Sequence, residues 1–455
     1  MSDQTYAIGI DVGGTKTRFG VVRIETMKLV DCLPESFSVQ SQVLGEVTLR
    51  RHGGLLICST PTLLLHPDKS VEQLQQALLE IVLTVVRELR VQYLSGKTVT
   101  TAGVSFAGLV NDNGVVTKAA DLYFEWGEWT EAGVEKLATG SYAPFELQRL
   151  LNQELPDLHW QVINDVTAAA CRYIHNEAFP LKHKSALLTI STGIGYVLMM
   201  PDRFFLETAK VVSLGHHVVD TSAAARTCDC GGVGHLTAYA SGKAVEKRIR
   251  EQALDALIEF RHSKLWQIVS QRLGEEASGQ TDDAIAVQIT AHDVALAIKQ
   301  HDDFVQPLFL NVQSALAEAM AEVVAAGVES IILMGGFAQA VGHPLIDGLS
   351  TVLAKKYAWI KPTFFQLGYA DDADGVIGVC RGMQIHANNH LGGMSRGVDE
   401  HGNSVISLDA TTHHTTRVWY QNPFNSQQLD FKHCVSAFGP LTSKAFFVVE
   451  TSLVS

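Results

Sequence analysis

Two aspartates, three glycine turns and one close pair of cysteines carry the chemistry that this sequence offers. Asp11 ends the apolar run YAIGI and opens the turn Asp11-Val-Gly-Gly-Thr-Lys-Thr17. Gly13 and Gly14 lack Cβ atoms, so backbone N–H groups there, with the hydroxyls of Thr15 and Thr17, can close around phosphate oxygens. A carboxylate at the strand end, such as Asp11, can hold a hydrated divalent cation. By itself this is an ordinary hairpin turn, and its weight comes from recurrence. Ser191-Thr192-Gly193-Ile194-Gly195 is a second turn after an apolar strand, and Met334-Gly335-Gly336-Phe337 is a third. Three such turns suggest a nucleotide gripped from several sides. Asp165 follows the apolar WQVIN and precedes Val-Thr-Ala-Ala-Ala. There it can take the proton of a hydroxyl that attacks phosphorus, or it can simply cap the helix behind it. Position alone leaves both roles open. Cys228 and Cys230 are the one close pair among seven cysteines, a candidate for a metal rather than for a disulfide framework.

The elements that must position these residues alternate between strand and helix. Residues 6–22 read as a β-hairpin. Ser70 with Gln73 forms a capping-box pattern ahead of Leu74, Leu78, Ile81, Val82, Val85 and Leu89, which predicts a helix ending near Arg90. Strands are expected at 98–106, 160–165, on both sides of 191–195, and at 331–334. Helices are expected at 145–155, 166–175, 241–270, 304–326 and 373–387. The helix at 304–326 carries Leu308, Val312, Leu316, Met320 and Val323 on one face and closes at Gly327. The stretch 121–129 reads as an acidic, aromatic loop, and 26–67 yields no assignment beyond short β-like pieces. Residues 388–455 are β-like throughout and form a separate extension. The class is α/β.

Composition bounds the partners. The 455 residues carry 35 Lys+Arg against 48 Asp+Glu, a net charge of −13, with 46% hydrophobic residues. No basic run exceeds a few residues, which excludes a generic nucleic-acid binder. No apolar run reaches the roughly 18 to 20 residues needed to cross a bilayer, so no membrane association is expected. The N-terminus lacks a secretory pattern, and the scattered cysteines fit a reducing, cytoplasmic setting. A homo-oligomer is compatible with all of this.

In order along the chain, IGIDVGGTKT, VINDVTAAA, TISTGIG, CDCGGVGHLTAYASG and LMGGF resemble the motifs of the ROK family (repressors, open reading frames and sugar kinases), within the actin, Hsp70 and hexokinase class of ATPases. The resemblance spans roughly residues 6 to 388. It implies two ribonuclease-H-like domains around a cleft. The first would cover 1–130, completed by the helix at 373–387, and a larger second domain would cover 131–372, ahead of the β-rich extension 388–455. It further implies ATP with Mg²⁺ and a small carbohydrate-like acceptor. Asp11 would orient the hydrated Mg²⁺, and the 13–17 and 191–195 turns would hold the phosphates. Gly335 and Gly336 would flank the adenosine, Asp165 would be the general base, and Asn164 would bond the acceptor. Gly108 falls in the family's substrate-side turn, and Asp121 stands where the family commonly has Asn. The zinc signature implies a structural Zn²⁺ held by His216, Cys228, Cys230 and His235, with His217 an alternative to His216.

Two departures from the family pattern bear on specificity. His235 replaces the last zinc cysteine without loss of a ligand. Ser213 and Thr237 stand where the family has glutamates that grip hydroxyls near a sugar's anomeric end. Loss of two charge-assisted acceptors should redirect the site toward a modified sugar or a sugar-like polyol such as a cyclitol or carbasugar. The competing reading is a non-catalytic, sugar-responsive regulator or scaffold. Regulators of the family carry a DNA-binding helix-turn-helix ahead of the first motif, where only ten residues precede Asp11. Glu125 and Glu128 could compensate for the lost carboxylates or form a solvated loop. Lys16, His413 and His414 read as surface or satisfied groups.

Overall fold

The computed structural model describes residues 4–63, 65–111, 113–118, 126–129, 136–138, 144–173, 185–199, 214–228, 230–325, 327–357 and 364–387, and the strands 394–398, 404–408, 414–420, 434–436 and 447–453. The hairpin at the start is β1 (Thr5–Val12) against β2 (Lys16–Arg23). Three antiparallel strands extend it outward: β3 (Ser36–Ser41), β4 (Gly45–His52) and β5 (Leu55–Ser59). On the other side β6 (Thr98–Phe106) and β7 (His159–Asn164) add in parallel, so the sheet runs β7-β6-β1-β2-β5-β4-β3, with the short strand 28–29 beside β2. The region 26–67, which carried no clear sequence period, is this antiparallel extension.

β1 is buried along nearly its whole length because both faces of the sheet are covered. One face packs on α1 (Val71–Glu88), whose capping box forms as expected and whose Leu74, Leu78, Ile81, Val82 and Val85 are fully buried. The helix continues past Arg90 as a wider π turn to Tyr93. The other face receives α7 (Asp374–Ala387), which comes so close that a Cβ at Gly9 would lie 2.2 Å from the Val376 carbonyl. Between them in sequence, α2 (Leu147–Glu154) leads into β7, and α3 (Asp165–Tyr173) begins where β7 stops. The anticipated boundary at 130 therefore does not coincide with the edge of this sheet, because β7 pairs with β6 well beyond it.

A second sheet has the order β9-β8-β10-β11, formed by β8 (Ser185–Ile190), β9 (Ile194–Met199), β10 (Ser330–Met334) and β11 (Phe364–Leu367). Helices α4 (Gly242–Asp255), α5 (Gln306–Ala325) and α6 (Gly336–Val341) contribute to the core beside it. By length and composition α5 alone among the described helices could span a membrane, yet Leu308, Val312, Leu316, Met320 and Val323 are buried in this core. Residues 126–129, expected as loop, form a strand against 136–138. The C-terminal strands make their own five-stranded antiparallel sheet, as the sequence pattern anticipated.

Candidate active site and metal centre

Parallel pairing sets the site. Asp11 of β1 lies in register with Ser105 of β6, and Ser105 with Ile163 of β7, so the three strands end at one edge. That edge, the carboxyl end of parallel strands, is where open α/β sheets bind ligands. Asp11 accepts from Ser105 Oγ at 2.7 Å and from Arg18 Nη1 at 3.2 Å. Burial raises its pKa above the ordinary carboxylate value, opposed by the Arg18 charge. Asp165 is pushed up to about 7, chiefly by burial and next by the negative charge of Asp11. Two partly buried carboxylates, one of which raises the pKa of the other, form a place where a cation is favourable and where Asp165 can exchange a proton.

The cap of the helix behind Asp165 is made chiefly by its neighbour. Asn164 Oδ1 accepts from the N–H groups of Val166 (3.0 Å) and Thr167 (3.2 Å), so Asn164 caps α3. Its Nδ2 donates to the Gly108 carbonyl at 2.8 Å and to Asp165 Oδ1 at 2.9 Å. All four hydrogen-bonding positions of the amide are thereby used. Asn164, expected to bond the acceptor, holds the cap, the Gly108 loop and the carboxylate together. Asp165 Oδ1 also accepts from Val166 N at 2.9 Å, and Asn164 is the only side chain bonded to it among the described residues.

Each glycine turn is fixed by a particular neighbour. Thr17 is fully buried and bonds Thr60 Oγ1 at 3.0 Å, so it faces away from any phosphate. Thr60 in turn donates to the Gly13 carbonyl at 2.8 Å and fixes the turn from behind. Gly14 is partly open, and Thr15 and Lys16 are exposed at its tip. In the second turn, Thr192 is exposed and Gly193 partly so, while Gly195 is pressed against Val166 of α3, 2.5 Å from where its Cβ would sit. Gly335 adopts φ +93°, and a Cβ there would meet the Ile190 carbonyl at 2.7 Å. The third turn is thus locked to the strand that leads into the second. Gly336 has open space around it.

Sequence reasoning missed the segment 369–375, Tyr-Ala-Asp-Asp-Ala-Asp-Gly. Asp371 and Asp374 both bind Arg172 of α3, and Asp372 binds Arg18. A Cβ at Gly375 would lie 2.1 Å from Asp11 Oδ1, so only glycine lets α7 start against that carboxylate. The acidic run preceding a glycine-rich helix was its only trace in sequence.

The metal-type group is assembled as expected. The ligand atoms of His216, Cys228, Cys230 and His235 all lie within 4.8 Å of one another. His235 Nδ1 is 3.1 Å from Cys230 Sγ and 3.3 Å from His216 Nδ1. Ligands on a tetrahedral Zn²⁺ stand about 3.3 to 3.8 Å apart, so the donor set and spacing suit that ion. The hydrogen bond to Cys228, with nearby His216, pushes the Cys230 thiol down to about 3. His216, not His217, belongs to the group; burial lowers the pKa of His217 and Glu318 opposes the shift. Gly232 makes the histidine possible, because a Cβ there would lie 2.0 Å from the His235 ring. Thr237 donates its hydroxyl to the Gly215 carbonyl at 2.8 Å. It therefore braces the backbone beside His216 rather than offering a free donor. Asp121 and Ser213 lie outside the described residues, as do Glu125 and His413.

The chain matches the ROK family over residues 64–381 and belongs to that family. A C(7)-cyclitol 7-kinase of Streptomyces hygroscopicus subsp. limoneus is 30% identical over 285 residues, covering 61% of this chain and 71% of that protein. An N-acetylmannosamine kinase of Pasteurella multocida (strain Pm70) is 32% identical over 108 residues, 24% of this chain and 35% of the relative. A ROK family glucokinase from Streptomyces griseus, solved with glucose and AMPPNP, shares the fold at a TM-score of 0.56 and 17% identity, over 82% of this chain and 98% of that one. The architecture is that of the hexokinase-type ATPases.

Proposed function

We propose that this chain is an ATP-dependent kinase that phosphorylates a hydroxyl of a cyclitol or similar sugar-like polyol. The observation that carries the reading is the partly buried Asp11–Asp165 pair at the strand edge, in which Asn164 takes most of the capping of α3 and the Asp165 pKa is raised toward neutrality. Asp165 would accept the acceptor hydroxyl's proton as that oxygen attacks the γ-phosphorus. Asn164, fixed by the α3 cap and the Gly108 carbonyl, would keep the carboxylate in place. Asp11 would hold a hydrated Mg²⁺, which supplies charge neutralisation on the phosphates. The partly open glycines 14 and 193 would face the phosphates, and Gly335 with Gly336 the adenosine. The His216, Cys228, Cys230 and His235 group would take a structural Zn²⁺ and hold the acceptor-side loop.

The molecule is best divided into two lobes, one on each sheet, with α3 and α7 crossing between them. Closure of these lobes would exclude water and prevent simple hydrolysis of ATP. The acceptor class follows from Ser213 and Thr237 in place of two glutamates, and it agrees with the name of the Streptomyces relative. A carboxylate whose pKa is raised toward neutrality favours an enzyme over a sugar-responsive regulator. The test is ADP release across a panel of hexoses, amino sugars, cyclitols and carbasugars. Turnover on cyclitols is expected; efficient use of free glucose at low micromolar concentration overturns the acceptor class, and no ADP release with any acceptor overturns the kinase.

A further inference from the structure

We infer that Arg18 is a positioning residue that couples the 11–17 turn to the helix carrying Asp165, through the aspartates of the 371–374 segment. The inference rests on the nucleotide reading of that turn. Arg18 reaches two carboxylates at once: Nη1 lies 3.2 Å from Asp11 Oδ2, and Nε lies 2.7 Å from Asp372 Oδ2. Asp371, the preceding residue, grips Arg172 of α3 with both oxygens, at 2.6 and 2.5 Å. Such two-pronged pairs fix orientation as well as proximity.

Neighbouring aspartates thus hold different elements, one the nucleotide hairpin and the other the catalytic helix. Asp372 reaches Arg18 from a left-handed backbone, φ +55°, a conformation that aspartate tolerates better than most residues with a Cβ. The linkage is closely packed around Arg172, while Asp371 and Asp372 lie at the surface. Arg172 lies 4.2 Å over the Tyr369 ring and bonds Asp374 at 2.8 Å, while Tyr173 also donates to Asp374 at 3.0 Å. Gly375 abuts Asp11, and a Cβ at Gly378 would lie 1.8 Å from the Ala168 carbonyl. A shift of Asp11 when a nucleotide seats would be felt at Asp372, and from there at α3.

A passive brace and a coupling element differ in one measurable respect. A brace sets stability, whereas a coupling element changes how α3 responds to a ligand bound elsewhere. The experiment is hydrogen exchange on the full chain, with and without saturating Mg²⁺·ADP, for wild type, Arg18→Gln, Arg18→Lys and Asp372→Asn. In wild type, Mg²⁺·ADP should slow exchange in 11–17 and also in 165–173. In Arg18→Gln and Asp372→Asn, protection of 11–17 should persist while the response of 165–173 weakens by about fivefold, the lower end of ordinary inter-site coupling. Arg18→Lys should restore part of it. Asp372 is largely exposed, so its variant remains informative if Arg18→Gln folds poorly. Equal slowing of 165–173 in wild type and Asp372→Asn overturns the inference. Absence of protection at 11–17 in wild type overturns the nucleotide reading, and this inference with it.

Discussion

At the scale of single residues, the proposed chemistry turns on one partly buried carboxylate. Asp165 carries a pKa pushed up to about 7 by burial and by the charge of Asp11. A general base works only when deprotonated, so kcat/KM should fall as pH drops below about 7 and level off above it. Asp165→Asn should fold and bind ATP yet lose about 10²- to 10⁴-fold in turnover, the usual share of general-base catalysis. The same shift has a stability consequence with a definite sign. Between the unfolded value near 4 and the folded value near 7 the native state binds a proton that the unfolded chain has lost, so stability falls as pH rises through that window. Asp165→Asn should therefore melt above wild type at pH 8 and lose that advantage at pH 4. A variant with wild-type turnover sinks the base assignment.

At the scale of elements, small residues decide which pieces can meet. The metal loop accepts histidine in place of cysteine at 235 because Gly232 leaves room for the ring, and Gly234 at φ +76° turns the backbone under it. Gly232→Ala should displace the His235 ring from the ligand group. We expect its bound zinc, measured by metal analysis after dialysis against a chelator, to fall well below one equivalent while wild type retains it. The melting temperature should fall with the zinc, since a metal bound only by the folded chain contributes its binding energy to folding. Full zinc retention in Gly232→Ala would show that the contact is slack. The crossing of α3 and α7 follows the same logic, with Gly378 letting α7 approach the Ala168 carbonyl where a methyl group would not fit, while Gly375 lets α7 start against the Asp11 carboxylate.

At the scale of the whole molecule, the second sheet presents its 191–195 turn to the first through α3, where Gly195 meets Val166. A ligand that touches both sheets should stabilise them together. At roughly a hundredfold excess over its dissociation constant, Mg²⁺·ADP should add about 2.7 kcal/mol to the unfolding free energy and raise the melting temperature by several degrees. Calorimetry that finds no shift at any concentration contradicts a nucleotide site between the sheets.

Much of this was legible in the sequence because it is local. The capping box at Ser70 and Gln73, the hairpin around Gly13, the apolar face of α5 and the alternation that makes an α/β chain all depend on residues within a few positions of one another. Family motifs singled out the turns and the four residues whose ligand atoms the fold gathers within 4.8 Å of one another. What the sequence could not decide was where hydrogen bonds go once strands pair. Thr17 turns inward to Thr60 and Asn164 caps α3, and neither contact is announced by a local pattern. The Arg18–Asp372 and Arg172–Asp371 pairs join residues 354 and 199 positions apart. No periodicity or spacing encodes such contacts. They exist because parallel pairing brings β1, β6 and β7 to one edge and glycines let α7 lie across it, and only the folded chain places those charges side by side.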